Sequence, residues 1–171
     1  MPINIRAYFA IGFFTGMRTG EITALKWQDI DLENKTIKVQ RTRNKGIEST
    51  PKTISSVREI DILDVLLPYL QEHYNLYSHQ EYLFQTRNKV PFHTASQIAR
   101  TYWKSVLQEL KLEYRNLYQM RHTFASMMIA SGEDILWVSN MLGHKNSAIT
   151  LQVYAKYTKD DKKVRGTFLL K

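Results

Sequence analysis

The chain has 171 residues, of which 43% are hydrophobic and 23% are charged, and Lys and Arg outnumber Asp and Glu by 24 to 16. This composition predicts one globular domain and excludes an intrinsically disordered chain. Cysteine is absent, which excludes disulfide scaffolds and thiolate zinc sites. The formal net charge of +8 favours a polyanionic partner such as nucleic acid, with a soluble basic enzyme as the alternative.

The start of the chain is apolar but too short to span a bilayer. No apolar run approaches the roughly 18 residues that a membrane helix needs. The sequence therefore predicts no membrane contact and a cytoplasmic protein. A helical pattern begins almost at residue 3, without a leader, which suggests a piece of a longer protein.

The first predicted helix runs from Ile3 to Gly16, where the glycine marks its end. A glycine-flanked turn, residues 15–21, follows and carries Arg18. The turn leads into a short predicted helix, Glu21 to Lys26, for which Thr19 is the expected N-cap. The glycines are too few and wrongly spaced for a Walker loop or a dinucleotide-binding fingerprint.

Alternating apolar residues predict three β-strands, at residues 36–40, 47–50 and 57–62, which form one small antiparallel sheet. The turn between the second and third strands is expected at residues 51–56. Basic side chains crowd the loops of this sheet, which fits a surface laid along a phosphate backbone; a solvated hairpin is the alternative. These side chains are Arg41, Arg43, Lys45, Lys52 and Arg58.

Helices dominate the rest of the chain, with predicted spans at residues 63–76, 94–110, 117–130, 135–142 and about 147–157. Pro68 indicates that the first of these either begins at the proline or kinks there. The second has an apolar face through Ile98, Tyr102, Val106 and Leu110. The expected helix boundaries are Asn116, Asp134, Gly143, and Asn146 or Ser147. These elements predict a mainly α protein with a small three-stranded antiparallel sheet, an α+β class.

The stretch from Tyr118 to Tyr157 carries the side chains most suited to chemistry. It has Arg121 and His122 at the start of one predicted helix. A Leu-Gly-His turn follows and ends at His144, and Tyr154 lies on the next helix. A guanidinium, an imidazole and a phenol on separate short helices are groups suited to holding and attacking a phosphodiester.

Five short motifs follow one another in an order typical of one family. They are TGMRTGE at residues 15–21, a lysine in the predicted hairpin, RHTFAS at 121–126, LGH at 142–144, and the tyrosine beyond it. In this combination the chain, from Thr15 to about Thr158, resembles the catalytic domain of tyrosine recombinases, the phage integrases. The resemblance implies that catalytic-domain fold and a site-specific recombinase that cleaves and rejoins DNA through a 3′-phosphotyrosyl intermediate. It also implies double-stranded DNA as the partner, a homotetramer on DNA, and no metal or other cofactor.

The resemblance implies a role for each matching residue. Arg18 and Arg121 match the two arginines that clamp the scissile phosphate, a task suited to a planar guanidinium with a permanent charge. His144 matches a position where an imidazole bonds a phosphate oxygen, although a histidine after a helix end can also simply balance the helix dipole. Tyr154 matches the nucleophile, with Tyr157 as the alternative near the same helix face.

Lysine is implied as the general acid. Lys52 matches the hairpin lysine that protonates the leaving 5′-oxygen, and Lys45 is its alternative in the same loop system. A further basic set is expected to contact DNA outside the catalytic centre: Arg41, Arg43, Lys45 and Arg58.

One position departs from the family pattern. The family usually has a histidine three residues before the second arginine, where this chain has Tyr118. A tyrosine hydroxyl can donate a hydrogen bond to a phosphate, but it is a poor proton acceptor near pH 7. We therefore expect Tyr118 to keep a phosphate contact and the activity to survive. His122, which follows Arg121, is interpreted as a buried structural hydrogen-bonding residue and not as a substitute acceptor.

The resemblance also implies a domain organisation. The chain is expected to form one catalytic domain over residues 1–171, without the N-terminal core-binding domain of its relatives, and so to bind DNA weakly and salt-sensitively. Its tail, residues 159–171, contains the apolar triplet Phe168-Leu169-Leu170 and is expected to dock on a neighbouring protomer. The protein is expected in the cytoplasm of a bacterial host cell, associated with the nucleoid.

Three other functions are open on the sequence. The first is a non-catalytic DNA-binding module of the same fold, in which Tyr118 would indicate that the catalytic site has decayed. A type IB topoisomerase uses the same nucleophile chemistry but lacks this motif set in this compact form. A helix-turn-helix regulator built on residues 134–154 would leave Arg18 and Lys52 without a role.

Overall fold

The computed structural model describes residues 1–50 and 57–157. Within these ranges the protein is mostly helical with small antiparallel sheets, as predicted. The helices are α1 (Ile3–Thr15), α2 (Thr19–Thr23), α3 (Leu67–Tyr77), α4 (Ala95–Ile98), α5 (Lys104–Glu109), α6 (Gln119–Ser131), α7 (Ile135–Leu142) and α8 (Ser147–Tyr154). The strands are β1 (Ile30–Asp31), β2 (Thr36–Val39), β3 (Thr42–Asn44), β4 (Ile47–Ser49) and β5 (Arg58–Asp61).

Helix α1 lies at the centre of the core. Its residues Tyr8 and Ile11 are completely buried, and the helix packs against α3 and α6. It ends at Gly16, as predicted, whose φ of 66° belongs to the left-handed region that favours glycine. A side chain at Gly16 would also collide with Phe124 and Leu142. The glycine therefore lets the turn after α1 approach α6 and α7 closely.

Helix α2 begins and ends earlier than predicted. It spans Thr19–Thr23, and Arg18, not Thr19, occupies the N-cap position in an extended conformation. The cause is Glu21, whose Oε2 accepts a hydrogen bond from the backbone N–H of Arg18 at 2.9 Å. This contact is the reciprocal half of a capping box, and it holds Arg18 at the entrance of the helix.

A three-stranded antiparallel sheet is present, but its members differ from those predicted. Strands β2 and β5 belong to it as expected, and β1 takes the place of the predicted strand at residues 47–50. The order is β1-β2-β5, with Ile37 opposite Ile60 and both side chains buried. Strand β4, the predicted second strand, pairs instead with β3 in a separate hairpin. Lys45 and Gly46 form the turn of that hairpin with φ of 50° and 75°. Positive φ at both positions is typical of the type I′ turn, which returns the chain directly onto β3.

The helix predicted over residues 63–76 begins at Leu67, with Pro68 in its first turn. The first turn of a helix does not need the backbone N–H that proline lacks, so the proline sets a boundary and not a kink. His73 faces the core, whereas Val65, ahead of the helix, is exposed.

The long helix predicted over residues 94–110 is interrupted between α4 and α5. The segment Ala99–Trp103 that joins them is π-helical. A π turn inserts one extra residue, so the buried face shifts by one position beyond it. The buried residues are consequently Ile98, Trp103 and Leu107, in place of the predicted series Ile98, Tyr102, Val106 and Leu110.

The last three helices have boundaries close to those predicted, except that α8 ends at Tyr154 and a 3-10 turn continues the chain to Tyr157. The side chains of Asp134 and Asn146 each accept a hydrogen bond from a backbone N–H in the first turn of α7 and α8. Gly132 and Gly143, both with positive φ, end α6 and α7. Helix α6 starts at Gln119, two residues later than expected. These short connections keep α6, α7 and α8 in contact with one another.

Two predicted segments lie outside the described residues. They are the connecting turn at residues 51–56, which includes Lys52, and the tail at residues 159–171. Among the residues that the structure does describe, no helix is long and apolar enough to cross a membrane.

His73 is a titratable group inside the core. Its side chain is completely buried, and its ring lies against the rings of Trp27, Tyr77 and Phe84. Burial lowers the pKa of His73 to about 4, so the folded protein holds the imidazole neutral at pH 7.

We predict that His73 makes the folded protein less stable as the pH falls from about 6.5 to about 4. In that window the unfolded chain binds a proton at this residue and the folded protein does not, which lowers the free energy of unfolding by up to about 3 kcal/mol. His73→Phe keeps a ring of similar size and removes the titration. Its stability should therefore depend less on pH than that of the parent.

Urea unfolding at about pH 7.5 and about pH 4.5 measures the effect. His79→Phe, at an exposed position, is the control and should follow the parent. Parallel pH profiles for the parent and His73→Phe would contradict the prediction.

Candidate active site

Three arginine side chains converge on the carboxyl end of α7. Each donates a hydrogen bond to a different backbone carbonyl: Arg58 to Met141 at 3.0 Å, Arg121 to Leu142 at 2.6 Å, and Arg18 to Gly143 at 3.2 Å. The last carbonyls of a helix lack partners within the helix and form the negative end of its dipole. One helix end therefore gathers three cations from three separate parts of the chain.

Arg18 is the most open of the three. Its Nη1 donates to Glu21 Oε1 at 2.8 Å, in addition to the Nη2 contact with Gly143. The side chain nevertheless remains 37% exposed. The guanidinium is thus held in one orientation while part of it faces solvent, where an anion can reach it.

Glu21 is the carboxylate that holds two of the arginines. Its side chain is 2% exposed, and it accepts hydrogen bonds from Arg18 and from both terminal nitrogens of Arg58. Burial by itself would raise the pKa of Glu21, but the charge and hydrogen bonds of Arg58, together with Arg18, outweigh it and lower that pKa. The carboxylate therefore stays ionised and carries one negative charge among three positive ones.

Arg58 is placed inside the protein and not on its surface. Its side chain is 4% exposed and spans from Glu21 to the carbonyl of Met141. A Cβ on Gly143 would lie 2.7 Å from the Arg58 guanidinium, so glycine is needed for the turn to pass over it. The expected DNA contact of Arg58 does not match this burial, and its contacts are those of a residue that positions the end of α7.

Arg121 is buried between α1 and α7. Its Nη1 donates to the carbonyls of Gly16 at 2.9 Å and Leu142 at 2.6 Å. Its guanidinium carbon lies 5.9 Å from the centre of the Tyr118 ring. Burial lowers the pKa of Arg121 to about 10, which leaves the group charged at neutral pH. Neither of the two hydrogen bonds uses Nη2, so this nitrogen keeps its donors for another acceptor.

His144 follows the same helix end and is half-buried. Its Nδ1 lies 2.7 Å from the hydroxyl of Thr150, a buried residue of α8. Burial, and then the positive charges of Arg121, Arg18 and Arg58, lower the pKa of His144 to about 4. The imidazole is therefore neutral at pH 7, and its orientation is set by α8.

Tyr154, at the end of α8, contacts His122 of α6. Its hydroxyl lies 2.6 Å from His122 Nδ1, and the residue is only 4% exposed. Burial raises the pKa of Tyr154, and the charge of Arg121 opposes that shift. Tyr157, the alternative, is exposed, with its ring 6.5 Å from that of Tyr154.

Tyr118 lies next to this pair at the N-cap of α6. Its ring centre is 5.0 Å from that of His122, in an edge-on arrangement, and the residue is 41% exposed. His122 hydrogen-bonds as the sequence suggested, but it is only half-buried and its partner is the predicted nucleophile. Tyr118, His122 and Tyr154 therefore form one aromatic cluster beside Arg121.

The remaining predicted DNA contacts differ in exposure. Arg41 pairs with Asp29, and Arg43 Nε donates to the carbonyl of Phe92 at 3.2 Å, so both side chains are largely covered. Lys45 is exposed at the tip of the β3–β4 hairpin. Of the set Arg41, Arg43, Lys45 and Arg58, Lys45 is the side chain that is freely presented to a partner.

Sequence reasoning missed the groups that hold the arginines in place. Glu21 carries a signal, because it follows Arg18 by three residues on the same short helix and such pairs can meet. The carbonyls at the end of α7 carry no signal, because every helix ends in such groups.

Comparisons with known proteins identify a family and several relatives. A sequence model of the phage integrase family matches residues 1–161. The chain is 34% identical to a protein named tyrosine recombinase XerC-like from Caldanaerobacter subterraneus subsp. tengcongensis, over 88% of this chain and 45% of that protein. It is 25% identical to prophage integrase IntR of Escherichia coli strain K12, over 86% of this chain and 42% of IntR. The chain thus spans less than half the length of either relative.

The fold is similar to that of a solved structure of the Tn1549 transposon integrase in complex with transposon right end DNA. The TM-score is 0.77 at 25% sequence identity, and the match covers 98% of this chain and 59% of that one. The fold class predicted from the sequence is confirmed by this match.

Proposed function

The chain belongs to the phage integrase family, and we propose that it acts as the catalytic domain of a tyrosine-type site-specific DNA recombinase. In the proposed reaction Tyr154 attacks a phosphodiester of double-stranded DNA, forms a 3′-phosphotyrosyl link and releases a 5′-hydroxyl. The reverse attack by a 5′-hydroxyl rejoins the strands. The observation that carries the proposal is the convergence of Arg18 and Arg121 on the end of α7, one short turn before the helix that bears Tyr154.

The arginine cluster supports a phosphate-binding role. Glu21 pairs with two of the three guanidiniums, those of Arg18 and Arg58, so the cluster carries excess positive charge. A phosphoryl transition state spreads negative charge over its equatorial oxygens, and cations that are already in position stabilise it without reorganising. In this proposal Arg18 and Arg121 bind those oxygens, and Arg58 keeps the helix end in place.

His144 is proposed as a third donor to the phosphate. With the Thr150 hydroxyl donating to Nδ1, the single proton of the neutral imidazole lies on Nε2. This nitrogen can then donate to a phosphate oxygen. Its neutral state at pH 7 follows from the pKa of about 4.

Double-stranded DNA is the proposed substrate. The Tn1549 neighbour is bound to transposon DNA, and the net charge of +8 suits a polyanion. Lys45 is exposed at a hairpin tip, where it can contact a phosphate. Tyr154 is buried before DNA binds, so its hydroxyl must become accessible to the scissile phosphate when DNA binds.

We predict that the chain forms a covalent, SDS-resistant adduct with DNA and that Tyr154→Phe abolishes it. The probe is a library of nicked duplexes of random sequence, because a cleaved fragment next to a nick diffuses away and traps the phosphotyrosyl link. Tyr157→Phe is the matched control and should still form the adduct. DNA binding without any adduct would contradict catalysis and indicate a non-catalytic DNA-binding module.

The same assay addresses the general acid, for which we propose Lys52. Lys52→Ala should slow cleavage, and a DNA strand with sulfur in place of the leaving 5′-oxygen should restore the rate, because a thiolate leaves without being protonated. Lys45→Ala is the matched comparison. If the sulfur-containing strand restores the cleavage rate of Lys45→Ala and not that of Lys52→Ala, the general acid is Lys45.

We propose that Tyr118 donates a hydrogen bond to the bound phosphate, because it is exposed and lies beside Arg121. Tyr118→Phe should slow adduct formation by about 10-fold, the range expected for one hydrogen bond to a charged group. The ring packing against His122 should survive this change. Cleavage by Tyr118→Phe at the parental rate would rule the contact out.

We also propose that the tail, residues 159–171, docks on a neighbouring protomer in an assembly on DNA. The proposal is supported by the apolar triplet Phe168-Leu169-Leu170 and by exposed apolar side chains on the last two helices, among them Leu136 and Val153. Deleting residues 166–171 should weaken self-association on DNA, measured by sedimentation, while adduct formation persists. Unchanged self-association would argue against the docking.

A further inference from the structure

The hydrogen bond between His122 and Tyr154 has no part in the roles proposed so far. It joins α6 to the end of α8 at 2.6 Å, between His122 Nδ1 and the Tyr154 hydroxyl. The ring centres are 5.7 Å apart, and Tyr154 is almost completely buried. An imidazole nitrogen is thus held directly against the oxygen that is proposed to attack the phosphate.

Both groups are neutral near pH 7, so the phenol can donate to the imidazole. Burial raises the pKa of Tyr154, so the phenol is protonated near pH 7. Burial and the charge of Arg121 lower the pKa of His122, so the imidazole is neutral. A neutral imidazole that accepts at Nδ1 carries its proton on Nε2. In this tautomer Tyr154 donates and His122 accepts.

Other candidate acceptors among the described residues are engaged elsewhere. The carboxylate of Glu21 is occupied by two guanidiniums. The Nδ1 of His144 is engaged by Thr150. Tyr118 is itself a phenol and accepts protons poorly near pH 7. His122 is the basic group that contacts the Tyr154 hydroxyl.

We propose that His122 is the proton acceptor for the Tyr154 nucleophile. The role rests on the proposed recombinase function. As the bond between Tyr154 Oη and phosphorus forms, the Oη–H bond breaks and its proton passes to His122 Nδ1. The bond from phosphorus to the 5′-oxygen breaks, and that oxygen receives a proton from the general acid, for which Lys52 is proposed. On rejoining, His122 returns its proton to the phenol.

The position of Arg121 makes this transfer depend on bound DNA. Protonated His122 would lie beside a second positive charge, so the transfer is unfavourable while the site is empty. A bound phosphodiester supplies one negative charge, which reduces the repulsion between these two cations. The phenol therefore stays protonated and buried in the free protein, and it becomes a better nucleophile when a phosphate occupies the arginine cluster.

The first experiment tests the hydrogen bond without DNA. In the chain labelled with 15N-histidine, the His122 Nδ1 resonance should show an unprotonated nitrogen that accepts a hydrogen bond. The substitution Tyr154→Phe removes the donor and should therefore shift this Nδ1 resonance. A protonated Nδ1, or a resonance that does not respond to Tyr154→Phe, would overturn the proposal.

The second experiment measures single-turnover adduct formation at saturating DNA. His122→Ala and His122→Asn should both be slower by about 100-fold or more, the usual size of a general-base contribution. Asparagine can still bond the Tyr154 hydroxyl but is not a base. Added imidazole should restore part of the rate of His122→Ala, because the truncated side chain leaves room for it. His79→Phe, at an exposed position, should keep the parental rate.

The outcomes separate this role from the proposed function. Adduct formation by His122→Asn at the parental rate would overturn the acceptor role and leave the recombinase function intact. Failure of the parent itself to form an adduct would remove the proposed function, and the acceptor role with it. If His122→Ala does not fold, the asparagine variant and the Nδ1 resonance decide the question.

Discussion

The end of α7 is the interaction on which the rest of the site depends. Three consecutive carbonyls, at residues 141–143, lack partners within the helix, and each accepts a hydrogen bond from a different arginine. The longest of these links joins residues 125 positions apart in the chain. These segments can approach one another because Gly16 and Gly143, which have positive φ, lie where there is no room for a Cβ. A short helix end thereby positions guanidiniums that come from the turn after α1, from β5 and from α6.

Concentrating three guanidiniums requires a compensating charge, and Glu21 supplies one. Burial, and then the positive charges of these arginines, lower the pKa of His144, so this imidazole is neutral at pH 7. A phosphodiester bound at the open face of Arg18 would offset one of the two positive charges that Glu21 leaves uncompensated. The buried ion pairs of Glu21 therefore leave a site that is electrostatically suited to an anion.

Helix α6 connects this cluster to the proposed nucleophile. Arg121 points towards α7, while Tyr118 and His122, four residues apart, lie on a neighbouring face and contact each other. His122 then reaches the hydroxyl of Tyr154, the proposed nucleophile. One turn of α6 thus carries the proposed phosphate-binding group Arg121 and the group that contacts the hydroxyl of the proposed nucleophile, so a shift of this helix would affect both at once.

The sequence by itself determined the features that single residues enforce. Gly16 and Gly143 end their helices, Asp134 starts one and Pro68 sets a boundary, because each acts through its own backbone geometry or its nearest neighbours. The order of the motifs likewise identified the family and the candidate side chains. Only the tertiary structure decided that β4 pairs with β3, that Arg58 turns inward, and that His122 meets Tyr154. The physical reason is that a strand edge, a guanidinium or an imidazole can satisfy its hydrogen bonds with many partners, including water, and only packing of distant segments selects one.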